Sequence, residues 1–362
     1  MHERTPLKTL TLPELQERLA GLGFARYRAA QIFQWIYRHH AQSFPEMTNI
    51  ARADRERLAE LFALSSLRVL QVERSSDGTA KFLFGLEDGH AIESVLIPEE
   101  KRLTLCISSQ VGCRQACRFC LTGAGGFVRN LRSWEIADQV LTVSRILRAE
   151  NLRAVTNIVF MGMGEPFDNF DELVRALAVI TDERAMGFSP RRITISTCGL
   201  VPQIDRLGAS LTKTNLAVSL NASTDGVRDR IMPVNKRYPL TALLAACRRF
   251  PLEPRRRITF EYVLLRGVND SEEDAKRVAA MLKGIPCKLN LIPFNPCSGI
   301  PFERPDDGSV RHFQKVLQDR HFTAPVRESR GRDISAACGQ LRERSAVERH
   351  AAPTAAGACH LR

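Results

Sequence analysis

The sequence predicts an α/β protein built around a partial (β/α) barrel, with an N-terminal helical module and a β-hairpin extension leading into it. From about residue 101 onward, helical stretches alternate with short runs rich in β-branched residues, among them "TNIVFMG", "RRITIST", "TNLAVSL" and "RRITFEYVLL". Such alternation argues for βα units and a parallel sheet. An apolar share of 44% over 362 residues can fill a substantial core.

In chain order, residues 1–64 read as helices. "TLPE" at Thr11 to Glu14 has the form of a capping box with Pro13 in the first turn, and "RYRAAQIFQWIYRHH" repeats apolar residues at helical spacing. Residues 65–100 change to a strand period, with Asp77-Gly78 and Asp88-Gly89 as hairpin turns between "LRVLQVERSS", "AKFLFGL" and "AIESVLIP". Residues 101–341 form the core, which opens with "RLTLCISS". Its chemically distinctive segments follow strands: a cysteine loop after "CISS", "GMGEP" after "NIVFM", "STCG" after "RRITI" and "NPC" after "NLIPF". The sites of barrel folds sit at such strand ends. Residues 342–362, polar and alanine-rich, read as a mobile tail.

The 52 Lys and Arg exceed the 40 Asp and Glu by a formal +12. That imbalance favours a polyanionic partner, nucleic acid first. Arg255 to Arg257, Arg191-Arg192, Lys236-Arg237 and the basic N-terminal helices are candidate phosphate contacts. No apolar run approaches the roughly 18 residues that span a bilayer, and "MHERTPLK" is not followed by the apolar stretch of a signal peptide. The expectation is a cytoplasmic protein without a membrane partner. In a reducing compartment, ten cysteines divide into metal ligands, reactive thiols and small buried residues rather than a disulfide framework.

"GCRQACRFCLTG" places Cys113, Cys117 and Cys120 within eight positions, with no fourth cysteine nearby. A structural zinc site wants four protein ligands, and no His pair is placed to complete this one. Electron-carrying [4Fe-4S] clusters also use four cysteines. Three leave one iron without a protein ligand, and an open position is what a catalytic metal keeps for its substrate. The spacing of three residues and then two, with Phe119 before the last cysteine, resembles the cluster motif of the radical S-adenosylmethionine (SAM) superfamily. Together "CISSQVGC", "MGMGEP", "STCGLVP", "SLNAS", "VNKRYPL", "EYVLL", "CKLNLIPFNP" and "AACGQL" cover most of the chain from Arg74 to Leu341. They resemble the bacterial dual-specificity 23S rRNA/tRNA adenine carbon-2 methyltransferase family.

The resemblance implies a radical SAM type of partial barrel, a [4Fe-4S] cluster on Cys113, Cys117 and Cys120, and two SAM molecules per turnover. It implies that the substrates are an adenosine of 23S rRNA and the adenosine 3′ to the tRNA anticodon. It implies that Cys338 is S-methylated by one SAM, loses a hydrogen atom to a radical made from the second, and adds to the base. Cys106 then attacks the Cys338 sulfur and releases the product as a disulfide forms, while Glu93 deprotonates the adduct. An electron-poor carbon between two ring nitrogens does not attack a sulfonium, so a radical route suits this chemistry. SAM contacts carry over to Gly164, Glu165, Ser196, Ser219, Leu220, Asn221 and Asn295. Two positions depart from familiar members: Cys198 stands in place of Ser or Ile, and Asn221 where His is frequent. A flavodoxin or ferredoxin is the implied electron donor.

The residues themselves leave other readings open. Cys106 lies in an apolar strand where a lone cysteine is ordinarily packing. Cys247, Cys287 and Cys297 show no ligand spacing, and Cys359-His360 belongs to the tail. Methylation at adenine carbon 8 would use the same thiols. A non-catalytic RNA-binding protein with a structural metal, and a dithiol redox protein using Cys106 and Cys338, are the alternatives of other classes.

Overall fold

The structure is a computed structural model that describes residues 4–210 and 213–341. The tail expected at 342–362, with Cys359 and His360, lies outside the described residues.

The N-terminal region comprises β1 (Thr5–Pro6), α1 (Leu12–Gly21), α2 (Tyr27–Tyr37), α3 (Arg52–Leu61) and β2 (Phe62–Ala63). The capping box at Thr11 is present: its N–H and Oγ1 donate to Glu14 Oε2 at 2.7 and 2.8 Å. Apolar residues at helical spacing, Leu12, Leu15 and Leu19 on α1 and Ala29, Ile32, Phe33 and Ile36 on α2, are buried together. The parallel pairing of β1 with β2 had no sequence signal; two residues are too few to show a period. Lys8 ties this region to the core, its Nζ 2.5 Å from Asp138 in a fully buried pair.

β3 (Arg68–Arg74), β4 (Ala80–Gly85), β5 (Ala91–Pro98) and β6 (Leu103–Cys106) form an antiparallel meander closed at Asp77-Gly78 and Asp88-Gly89. β7 (Gln110–Gly112), α4 (Leu121–Ala124) and β8 (Phe127–Asn130) follow, then α5 (Ser133–Ala149), β9 (Asn157–Phe160), α6 (Phe170–Thr181), β10 (Ile193–Thr197) and α7 (Val201–Ala209). The chain continues through β11 (Asn215–Ser219), α8 (Asp225–Ile231), α9 (Leu240–Arg249), β12 (Ile258–Leu264), α10 (Glu272–Leu282), β13 (Cys287–Pro293) and α11 (Asp307–Gln318). One nine-stranded sheet runs in the order β13-β12-β11-β10-β9-β6-β5-β4-β3. β6 and β9 to β13 are parallel neighbours. The two ends do not pair, so the barrel is partial.

Register decides which residues face the site, because paired residues share a face and alternate residues along a strand return to it. Lys81 pairs Val95, Val95 pairs Cys106, and Cys106 pairs Val159; Leu83 pairs Glu93. Lys81, Glu93 and Cys106 therefore lie on one face, continued across the sheet by Ser196, Ser219, Glu261 and Asn290. The opposite face carries Leu105, Ile158, Ile193, Ile195, Leu216, Val218 and Phe260, all buried. Inner polar and outer apolar alternation is what a parallel sheet shows when helices cover only its outside.

Candidate active site

The cysteine loop is strapped at its base by β7 and β8, which pair antiparallel. Gly112, with φ +73°, is required there: a Cβ would sit 2.0 Å from Gly126 O. Cys113 N donates to Gly126 O at 2.7 Å, and Cys120 N to Cys117 O at 3.1 Å. Burial pushes the Cys113 thiol up to about 12 and Cys117 well above its ordinary value, and each neighbouring thiol adds to the effect. Among the described residues no three His, Cys, Asp or Glu side chains converge as ligands of a single metal ion.

Cys338 follows the short helical turn Arg332–Ile334 and meets this loop from the far end of the chain. Leu121 N donates to Gly339 O at 2.8 Å, Thr122 Oγ1 to Leu341 O at 2.5 Å, and Gln340 Nε2 to Pro296 O at 3.2 Å. The other side of the segment is fixed to the β3–β4 hairpin. Ser75 Oγ donates to Asp333 Oδ1 at 2.6 Å, and Lys81 Nζ to Ile334 O at 2.6 Å. Cys338 is an exposed residue whose thiol is turned into the protein, where desolvation pushes it up to about 11, with the Glu261 charge acting in the same sense. Cys106 is 7% exposed; burial raises its thiol far above the ordinary range, and Cys338 is near enough to raise it further. Cys106 on the inner face and Cys338 beside the cysteine loop, distant in sequence, thus lie near enough to influence each other.

Glu93 is 1% exposed, with Lys81 Nζ 3.4 Å from its Oε1 and Glu73 Oε2 3.2 Å from the same ammonium. Ser108 Oγ donates to Glu93 O at 2.6 Å. Neither Lys81 nor Glu261 was singled out in the sequence. The signal for both was strand alternation, which needs the register to say which face is inward. Burial pushes Glu261 up to about 6, although Asn290 Nδ2 donates to it at 2.9 Å.

The residues carried over as SAM contacts gather at the C-terminal ends of β9, β10, β11 and β13. Gly164 has φ +98°, and a Cβ there would lie 2.5 Å from Gln110 Cβ. Gln110 Oε1 accepts from Glu165 N at 2.8 Å. Glu165 is buried, so its carboxyl is pushed up to about 7, although Cys198 N donates to Oε2 at 2.8 Å and Phe167 N to Oε1 at 3.1 Å. Ser196 and Ser219 are half-buried and Leu220 is fully buried. Asn295 Oδ1 and Ser109 Oγ are buried without a hydrogen-bond partner, an arrangement that asks for a polar ligand. Asn221, with φ +55°, has its side chain engaged within the protein: its Oδ1 accepts from Val263 N at 2.8 Å and Nδ2 lies 3.2 Å from Met232 Sδ. Cys198 contributes its N–H to Glu165, which any residue could do, so the side-chain departure there leaves this bond intact. Cys247 and Cys287 are core residues.

The basic residues divide by strand polarity. Arg191-Arg192 and Arg255 to Arg257 precede β10 and β12, at the end of the parallel strands opposite the site. Arg114, Arg118, Arg132, Arg327, Arg330 and Arg332, which the sequence reading had not singled out, are exposed on the segments that build the site.

Comparison with known proteins agrees with this geometry. The radical SAM superfamily model matches residues 107–279, and the ribosomal RNA large subunit methyltransferase N-terminal domain matches residues 5–64. Dual-specificity RNA methyltransferase RlmN of Pelobacter propionicus is 54% identical over 342 residues, covering 94% of this chain and 97% of its own. The chain belongs to this family. The RlmN of Geobacter sulfurreducens is 55% identical over 93% of this chain and 91% of its own. A crystal structure of a radical SAM methyltransferase from Sphaerobacter thermophilus superposes with a TM-score of 0.89 at 47% identity, over 93% of this chain and 99% of that one. Family membership makes the protein a radical SAM methyltransferase that uses a [4Fe-4S] cluster and SAM. Among the described residues no helix is long and apolar enough to cross a membrane.

Proposed function

We propose that this enzyme methylates carbon 2 of adenine in 23S rRNA and in tRNA, at the adenosine 3′ to the anticodon, with Cys338 as methyl carrier and Cys106 as resolving thiol. The observation that supports the reading is that the chain segment of Cys338 is hydrogen-bonded to the three-cysteine loop, near Cys106 on the inner face. Cys113, Cys117 and Cys120, three neighbouring thiols on one loop, would hold the cluster and leave one iron open. Gly164, Glu165, Ser196, Ser219, Leu220 and Asn295 would hold SAM, with Glu165 and the unpartnered Asn295 Oδ1 facing its ammonium. Asn221 would act through its main chain. When bound, cluster and SAM supply a 5′-deoxyadenosyl radical.

The chain's own part is then specific. The S-methyl carbon of Cys338 would give one hydrogen atom to that radical and bond to carbon 2 of the base. Glu93, on the same face as Cys106, takes the proton from carbon 2, and the one electron that the adduct sheds would return to the loaded cofactor. Cys106 gives up its proton and attacks the Cys338 sulfur; an S–S bond forms as the S–C bond breaks, and the released carbon takes up a proton to become the product's methyl group. Residues 1–64 contribute RNA contacts, 65–100 the strands that carry Glu93, 101–341 the catalytic core and 342–362 a tail. A flavodoxin or ferredoxin in the cytoplasm would deliver the electron.

The test is anaerobic incubation of reconstituted Cys106→Ala protein with SAM, reductant and a ribosomal RNA fragment. A one-carbon crosslink between Cys338 and adenine is expected on a denaturing gel and in the mass of the Cys338 peptide. A Cys338 that acquires neither methyl group nor RNA refutes the two-thiol reading. Mass spectrometry of the wild-type product base distinguishes carbon 2 from carbon 8.

A further inference from the structure

Arg228 on α8 is 0% exposed, and among the described residues its guanidinium forms no ion pair. Its hydrogen bonds go to neutral oxygens. Nε donates to Leu220 O at 3.0 Å, Nη2 to Cys198 O at 2.7 Å and Ser219 O at 3.0 Å, and Nη1 to Asn235 Oδ1 at 3.1 Å. The nearby carboxylates are engaged elsewhere: Asp225 Oδ1 accepts from Leu240 N at 2.8 Å, and Asp229 Oδ1 from Asn235 Nδ2 at 2.7 Å. A guanidinium does not lose its proton in a protein, so a full charge sits in the interior among dipoles. Withdrawing an ion from water is costly unless a counter-charge offsets it. Bonds to carbonyls alone could be made by a neutral amide. The charge is the property that needs a reason.

Its position supplies one. α8 abuts the cysteine loop, where Arg118 N donates to Ile231 O at 3.0 Å, one turn along from Arg228. Arg118 directly follows Cys117, so the turn of α8 that carries Arg228 lies beside the segment of a cluster ligand. A [4Fe-4S] core of charge two plus, held by three thiolates, is a net anion and gains a second negative charge on reduction. Net charge and surrounding dipoles set the potential of such clusters.

We propose that Arg228 is the counter-cation of the loaded cluster, a positioning residue that fixes the ends of β10 and β11 and makes the cluster easier to reduce. This rests on the assignment of Cys113, Cys117 and Cys120 as cluster ligands. The guanidinium's missing partner is thereby supplied by the cofactor, and the three carbonyls it holds belong to the segments expected to contact SAM.

Two neutralising variants separate charge from scaffold. Arg228→Gln keeps amide donors for the carbonyls and removes the charge. Asn235→Asp, made together with Asp229→Asn so that the 2.7 Å hydrogen bond between the two positions survives with its direction reversed, keeps the guanidinium and its carbonyl bonds but sets a carboxylate against it. After anaerobic reconstitution, each is titrated with dithionite and mediators, and the midpoint potential is read from the electron paramagnetic resonance signal of the reduced cluster. Both potentials are expected to fall, by tenfold or more in the reduction equilibrium, about 59 mV per tenfold for one electron. Arg228→Lys, which keeps the charge, is expected to remain near wild type. A purely structural arginine would lower the thermal midpoint and the cluster content without moving the potential of clusters that form. Unchanged potentials in the neutralising variants overturn the proposal, and Asn235→Asp with Asp229→Asn decides alone if Arg228→Gln does not fold. A wild-type protein that binds no iron and sulfide refutes the ligand assignment instead.

Discussion

At the scale of single residues, the site is a set of buried groups whose ionisation is shifted by what surrounds them. Desolvation raises the Cys106 thiol and pushes the Glu165 carboxyl up to about 7, as expected of a site that excludes water. His40 shows the same physics at the junction of the N-terminal region with α5. Burial, then the Arg148 and Arg145 charges, depresses it to about 4, and its Nδ1 is buried without a partner. An unfolded histidine titrates near 6.5. His40 therefore adds stability that is fully present above pH ~6.5 and is lost progressively as pH falls toward ~4. His40→Asn, which tolerates the φ of +63°, is expected to narrow its stability gap to wild type, or reverse it, between those limits. Denaturant midpoints at pH 7.5 and 4.5 check this; an equal gap at both pH values refutes it.

At the scale of elements, tight backbone approach sets the site. Gly164→Ala would force a Cβ against Gln110 at a φ that L-residues avoid. A loss of roughly 1–3 kcal/mol is expected, with SAM affinity reduced because Gln110 no longer anchors Glu165. Equilibrium unfolding and SAM binding by the reconstituted enzyme measure the two effects. The Lys8–Asp138 pair joins the N-terminal region to α5, and Asp138 Oδ2 also accepts from Leu67 N at 2.7 Å. Removing the cation leaves a buried carboxylate unpaired, so Lys8→Met is expected to cost about 3–5 kcal/mol. A cost below 1 kcal/mol in urea unfolding would show that the carboxylate finds water or a proton.

At the scale of the whole molecule, whose formal charge is +12, exposed arginines stand at both ends of the sheet. Arg118 and Arg327 stand at the site, whereas Arg255 and Arg257 stand at the opposite edge. Charge reversal at Arg118 or Arg327 is expected to weaken RNA binding and to flatten its salt dependence by about 0.7 to 0.9 in the log–log slope per lost phosphate contact. Reversal at Arg255 is expected to leave both nearly unchanged. Filter binding across 50–200 mM salt reads affinity and slope, and a larger loss at Arg255 would place the RNA on the other edge.

The sequence alone determined what is local or periodic. The capping box at Thr11, the two Asp-Gly turns, the alternation of helices and strands and the three-cysteine spacing are each written within a few residues, because backbone conformation and short ligand spacing are short-range properties. The structure decided what depends on distant segments meeting. Nothing local to Cys338 says that it lies against the cysteine loop; that follows from bonds made by Gly339, Gln340 and Leu341 to residues far earlier in the chain. Nothing local to Lys81 or Glu261 says that it faces inward, because one residue of register would turn it outward. The basic runs were legible as charge, but only strand polarity showed that Arg191 and Arg255 lie away from the site. Arg228 was invisible for the same reason: an arginine in a sequence has no counter-charge to lack until burial removes water from it.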